Sequence, residues 1–347
     1  MCTQNIPLSS STNDHSALFL FLARYNQIDE SGAPASPGGL YLNTSCDVTD
    51  PSQACESMGG TGWQARAMSA WGKQYNVPVW LGEGAAHNGG GGPEGRTYAT
   101  SLYSSFYYLD ALATLARLNH AAFARQTLAG GNYELLRCSA GWDPSNTHDE
   151  VGEAAAAAPY GCDLEPRPDM YVALLWRQHM GTAVLAAPTL EPTPAKADLA
   201  PLRVNAHCWR GGTEGDGAVA FSVSNVNPSG DWFSLSFALD DDDAAKDEES
   251  GNQRGERSLG YQRSVLGATR NEYILSSANA TAGLLTHDVS LNGATVPLRM
   301  SPGDARSDVP VPALEPAVRA AGDVLSVAPG TLGFVVFPQA RVPACMR

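Results

Sequence analysis

The chain has 347 residues, 43% of them hydrophobic, enough for two packed domains. Its 36 acidic against 22 basic residues leave a net charge of −14, which excludes a nucleic-acid binder and disfavours a highly sulfated partner. The longest apolar run, 17–23, falls far short of the roughly 20 residues needed to cross a bilayer and lacks the basic leader and small-residue cleavage site of a signal peptide.

In chain order, residues 1–15 are polar and aperiodic and read as a loose terminus, 16–23 as a buried strand, and 27–62 as a long loop. Residues 63–76 carry apolar groups at helical spacing (Ala65, Ala67, Met68, Ala70, Trp71, Tyr75). A strand over 77–82 ends at Glu83 and opens into the loop Gly89-Gly90-Gly91-Gly92-Pro93. Residues 97–118 predict an amphipathic helix with Leu102, Phe106, Leu109, Leu112 and Leu115 on one side. A strand over 121–128 runs into Gly130-Gly131-Asn132-Tyr133, an insertion spans Cys138 to Cys162, and 169–180 is a further helix. Alternating strands and helices predict a parallel α/β arrangement over 1–185. After a Pro- and Ala-rich linker, 186–200, the pattern changes. Short strands at 202–208, 218–225, 232–239, 273–275, 289–291, 296–300, 323–327 and 333–337 predict an antiparallel β-sandwich over 201–347. Residues 240–257 form a solvated charge run.

None of the seven cysteines forms a CxxC pair, so zinc-ribbon and thioredoxin motifs are absent. Cys46 with Cys55, Cys138 with Cys162, and Cys208 with Cys345 nest as three disulfides with Cys2 left over. The sequons at Asn43 and Asn279 point the same way, to an oxidising secretory compartment. The alternative is seven free thiols in a reducing one.

A short apolar stretch that ends in a carboxylate and opens into a loop reads as a strand delivering one acid to a cleft, the end at which parallel barrels place their chemistry. Retaining glycosidases use such carboxylates, one of them as nucleophile. An isolated Glu after a strand is ordinarily a solvated loop residue, so the neighbours of Glu83 must decide.

Those neighbours form separated blocks whose order and spacing resemble the heparanase-type β-glucuronidases of glycoside hydrolase family 79, in their plant and algal branch. The blocks are Val79-Trp80-Leu81-Gly82-Glu83 with the glycine loop, Phe106-Tyr107-Tyr108-Leu109-Asp110, Arg125-Gln126 with Gly130-Gly131-Asn132-Tyr133, and Ala173-Leu174-Leu175-Trp176 with Met180-Gly181. Leu202-Arg203-Val204, Ala206-His207-Cys208, Asn292-Gly293, Ala313-Leu314-Glu315-Pro316 and the terminal Cys345 continue the likeness, which covers about 63–345.

The resemblance implies a (β/α)8 barrel carrying a C-terminal β-sandwich, and retaining hydrolysis of β-glucuronosidic bonds without metal or cofactor. Glu83 matches the nucleophile at the end of the seventh strand. Residues 121–128 then match strand eight and 16–23 strand six, with Tyr25 in a tyrosine-bearing segment after it; Arg24 stands where histidine is commoner. The implied pocket takes in Asn88, Gly89, Gly90, Gln126, Gly131 and Tyr133, with Tyr133 either donating to a substrate carboxylate or packing in the core. Arg96 and Arg125 either neutralise a glucuronate or make structural ion pairs. The Cys208–Cys345 disulfide outweighs a metal reading of His207 and Cys208.

The family's acid/base lies on an Asn-Glu dipeptide upstream of the nucleophile, and none precedes Glu83. The sole Asn-Glu, Asn271-Glu272, falls in the predicted sandwich and is not given that role. A complete barrel takes about 250 residues, so 1–185 is expected to be the C-terminal part of one. The chain as written is then expected to lack competence that a longer parent would have. The implied partner is a glucuronide or a weakly sulfated glucuronate-containing glycan, in a secreted, extracellular or vacuolar setting, with peripheral membrane or cell-wall association. Two alternatives are a catalytically inactive carbohydrate-binding protein and a clan hydrolase acting on another sugar.

Overall fold

A computed structural model describes residues 24–25, 61–85, 99–129, 133–138, 164–186, 202–212, 216–225, 232–237, 266–296 and 314–346. The expected elements at 16–23 and 240–257, the sequon at Asn43, and Cys46, Cys55 and Cys162 lie outside the described residues.

The first unit is α/β. Strands β1 (Arg24–Tyr25), β2 (Val79–Ala85) and β3 (His120–Arg125) form a parallel sheet in that order. Helix α1 (Thr61–Tyr75) leads into β2, and α2 (Leu102–Arg117) into β3. Ala65, Met68 and Gly72 form the buried stripe of α1, one face at helical spacing. Trp71 and Tyr75, expected on that stripe, are 53% and 55% exposed instead. A Cβ on Gly72 would come within 2.4 Å of Val79 Cγ2, so only glycine lets α1 approach β2 this closely. Asn76 ends the helix at φ 52°, a left-handed position that Asn tolerates.

Helix α2 departs from the amphipathic expectation. Every residue from Leu102 to Ala111 is buried, the mark of a helix covered on all sides. It lies against β3, α3 (Pro168–His179) and the C-terminal sheet. Pro168 opens α3 at a position where its missing N–H costs nothing. Before it, β4 (Leu136–Cys138) and β5 (Leu164–Pro166) pair antiparallel and close the base of the Cys138–Cys162 insertion.

The second unit is an antiparallel sheet built from β6 (Met180–Val184), β7 (Leu202–Trp209), β8 (Val219–Asn225), β10 (Thr269–Ser277), β11 (Val289–Leu291), β12 (Ala294–Thr295), β13 (Ala317–Ala320) and β15 (Thr331–Phe337). Its order is β12-β11-β10-β15-β8-β7-β6, with β13 also on β10. A ribbon of β9 (Phe233–Leu235) and β14 (Leu325–Val327) forms the second layer. Alternation along the strands feeds two cores. Ala220, Tyr273, Leu275, Leu332, Phe334 and Val336 face α2 and α3, where Phe106, Tyr171 and Leu175 meet them. Val219, Phe221, Val223, Val335 and Phe337 face the ribbon. Met180–Val184 hydrogen-bonds to β7, so the sheet begins directly after α3, upstream of the linker. The two units also share one hydrophobic core rather than meeting across a linker.

Cys208 and Cys345 are disulfide-bonded with Cα atoms 5.3 Å apart, stapling β7 to the chain's last turn across 137 residues. Among the described residues no helix is long and apolar enough to cross a membrane.

Candidate active site

Strand β2 does not stop at Glu83. It runs two residues further, to Ala85, and carries an irregularity just before its end. Leu81 pairs with Phe123 and Gly84 with Arg125, so three steps along β2 match two along β3. The extra residue is a bulge, which changes which face the following side chains take. A Cβ on Gly84 would lie 2.6 Å from Phe123 Cε2 and 3.2 Å from Leu81 Cδ2. Gly84 therefore faces the same side as Leu81, the side on which Phe123 stacks edge-on against Tyr108 of α2. Alternation from Gly84 assigns Glu83 to the opposite face, away from the helices. In an unbulged strand it would follow Leu81 by two and point into the core. Glu83 is partly buried, and none of the six residues of β3 is buried. Parallel sheets are ordinarily covered on both faces; among the described residues of this one, Trp80 and Ala124 are exposed.

The neighbouring strands end beside it. Arg24 pairs with Gly84 and Tyr25 with Ala85, while the Gln126 amide donates to Gly84 O at 3.0 Å. Tyr25, Glu83 and Gln126 thus sit at matching ends of three adjacent parallel strands. Of Tyr25 only the backbone is described. Asn88, Gly89, Gly90, Arg96 and Gly131 lie outside the described residues. Tyr133 is 8% exposed and packs in the core shared by the two units.

Arg125 is held in a structural ion pair. Its Nη2 meets Asp169 Oδ2 of α3 at 2.9 Å, with both side chains 3% exposed. Its Nη1 donates to Gln126 O, and its guanidinium lies 5.5 Å from the Tyr108 ring centroid. Asp169 also accepts from Ser104 Oγ at 3.0 Å and Ser105 Oγ at 2.8 Å, both on α2. This buried network pins the end of β3 to both helices. Burial pushes the phenols of Tyr107 and Tyr108 up to about 12, against the opposing pull of Arg125, so both stay neutral.

The Asn-Glu dipeptide of the sheet is occupied elsewhere. Glu272 Oε1 accepts from Arg270 Nε at 2.8 Å and Nη2 at 2.6 Å on β10, and Arg270 is 1% exposed. His207 Nδ1 donates to Gly181 O at 2.8 Å while Cys208 is in its disulfide. Among the described residues no cluster of His, Cys, Asp and Glu could hold a metal.

No family model matches the chain. Heparanase-like protein 1 of Arabidopsis thaliana is 30% identical over 273 residues, 77% of this chain and 42% of that protein. The chain is similar to the heparanase-like proteins over about three quarters of its length. Baicalin-beta-D-glucuronidase of Scutellaria baicalensis is 27% identical over 75% of this chain and 36% of its own, and bovine heparanase 26% identical over 77% and 38%. The chain spans about two fifths of the length of the curated relatives it matches. Among solved structures, a 4-O-alpha-L-rhamnosyl-beta-D-glucuronidase from Fusarium oxysporum aligns over 87% of this chain and 50% of that one, at 12% identity and a TM-score of 0.43.

The sequence alone did not reveal the bulge or the role of Asp169. The bulge has a signal, Gly82 and Gly84 flanking Glu83 inside a strand, since glycine within a strand often marks one. Asp169 has a weaker one: an acid in the first turn of a helix is read as capping, not as the partner of a strand-end arginine.

Proposed function

We propose that this chain carries the nucleophile-bearing part of a retaining glycosidase that cleaves β-glucuronosidic bonds. The observation that carries the reading is the bulge that turns Glu83 out of the helix-packed face at the C-terminal end of a parallel strand. A Glu83 carboxylate oxygen bonds to the anomeric carbon as the bond to the leaving oxygen breaks and its electron pair departs with the aglycone. Water then releases the sugar from Glu83. The three parallel strands fit strands six to eight of a (β/α)8 barrel, with the face of β2 and β3 turned from the helices lining its mouth. Tyr25 and Gln126 flank the nucleophile in this reading, and Asn88, Gly89, Gly90 and Gly131 complete the pocket. The acid that protonates the leaving group is assigned to no residue here.

A relative named for the hydrolysis of baicalin's β-D-glucuronide supports a glucuronide substrate, and heparanases among the relatives support a glycan one. The net charge of −14 favours a weakly sulfated or unsulfated substrate. A secretory-pathway location fits the Cys208–Cys345 disulfide, because such bonds persist in oxidising compartments. In a longer protein containing this chain, Glu83→Gln should lower turnover of a β-glucuronide by more than a thousandfold. Undiminished turnover would end the proposal.

A further inference from the structure

His287 lies in the loop before β11, in the C-terminal sheet, yet its imidazole contacts the first unit at two points. Nε2 lies 3.0 Å from Thr100 Oγ1, just before α2, and Nδ1 lies 3.1 Å from Arg167 Nη1, just before α3. A guanidinium can only donate, so Nδ1 accepts and Nε2 carries the proton that is donated to Thr100. The chain is joined at the same place by the Leu102 amide, which donates to Thr286 O at 2.9 Å.

Arg167 passes this contact on to the candidate site. It is 4% exposed, and its amide donates to Leu135 O at 2.8 Å. The Leu135 amide donates to Thr127 O at 3.0 Å and that of Leu136 to Leu128 O at 2.8 Å. Two residues past Arg167, Asp169 holds Arg125. The start of α3 therefore grips the end of β3 by backbone and by charge. Gln126 is bonded there to Gly84, next to Glu83.

We propose that His287 is a positioning residue: its neutral imidazole ties the C-terminal sheet to the starts of α2 and α3 and so fixes the strand end that presents Gln126 beside Glu83. The inference rests on the Glu83 reading for what is positioned, but the tie itself does not. The groups facing His287 maintain the neutral form. Arg167 and Arg137 lie on one side, with Glu134 paired to Arg137 at 3.0 Å, Glu165 4.0 Å from Arg167, and Asp288 beside His287 on its own loop. Burial first, then Arg167 and Arg137, hold the imidazole down to about 4, so the tie stays intact above that pH. A proton on Nδ1 would set one N–H against another.

Amide exchange and ligand binding test this on the full 347-residue chain. His287→Ala should accelerate exchange in 126–136 about tenfold, the loss expected for one charge-assisted hydrogen bond, while β8 and β15 keep their protection. Binding of 4-nitrophenyl β-D-glucuronide should weaken by a similar factor. His287→Asn, whose Oδ1 replaces the Nδ1 acceptor, should restore both to within about threefold, and His287→Gln should not. The Asn and Gln pair carries the test if the Ala variant does not fold. Unchanged exchange in 126–136 overturns the proposal. So does faster exchange with undiminished affinity, which reduces His287 to a structural clasp. Wild-type protein that binds no glucuronide overturns the Glu83 reading instead, and the exchange data then decide for or against the tie.

Discussion

Removing the carboxylate of Asp169 should be among the most damaging single changes in the first unit. Asp169→Ala leaves the Arg125 guanidinium, 3% exposed, without the counter-charge it meets at 2.9 Å. Breaking a buried pair from one side costs about 3–5 kcal/mol, because the remaining charge is desolvated and unpaired. Ser104 and Ser105 lose their acceptor as well, at about 1 kcal/mol each before relaxation. The terms share one network and do not add, so we expect about 4 kcal/mol in total. With a urea m-value of about 3 kcal/mol/M, the midpoint should fall by more than about 1 M. Arg125→Met with Asp169→Leu should recover most of that loss, since paired apolar replacements avoid the stranded charge. Equilibrium urea unfolding followed by circular dichroism, with m held equal, makes the measurement. A loss below about 1 kcal/mol for Asp169→Ala, or a double variant weaker than the single one, would refute the claim that this ion pair is dry.

Acid should destabilise the fold through His179, which is 1% exposed, stacks 4.4 Å from Tyr273 and is held by burial at about 4, against 6.5 when unfolded. The unfolded chain then binds the extra proton between those values, so stability is full above about pH 6.5 and falls as pH drops towards 4. His179 should contribute about 3 kcal/mol of that loss, so His179→Phe should lose correspondingly less than wild type, read from urea midpoints across pH. Cys208→Ala should cost about 2–5 kcal/mol and lower the melting temperature, with no further change on adding reductant. Gly84→Ala should cost about 1–3 kcal/mol by thermal melting, because its Cβ would meet Phe123 at 2.6 Å. A neutral result there would contradict the side to which Gly84 faces.

Strong periodic signals were legible in the sequence, and tertiary context accounts for what was not. The helices over 61–75 and 168–179 and the sheet strands β7, β8, β10, β11 and β15 follow from apolar spacing and turn residues, whereas β12 and β13 were not read. The stripe on α1 was misread because Trp71 and Tyr75 are apolar in type but exposed in place. Periodicity shows where large residues recur, not which of them find a partner. The expected one-sided α2 proved buried all round because three elements converge on it, and Ser104 and Ser105 look like surface residues until Asp169 is placed opposite them. Met180–Val184 went unrecognised as a strand because it begins where the helix ends, with no turn residue between. At the candidate site the carboxylate was legible and its direction was not. That direction depends on one extra residue between Leu81 and Gly84, and a register shift involves two strands at once.

The central claim is that Glu83 attacks the anomeric carbon of a glucuronide, and its test does not require the acid to be assigned. A 2-deoxy-2-fluoro-β-D-glucuronyl fluoride carries a leaving group that needs no protonation, and its fluorine slows release of the covalent sugar. Incubated with this chain and digested, it should leave the mass of one fluoroglucuronyl group on the peptide containing Glu83, and none in Glu83→Gln. Label on another carboxylate, or equal labelling of Glu83→Gln, would contradict the account.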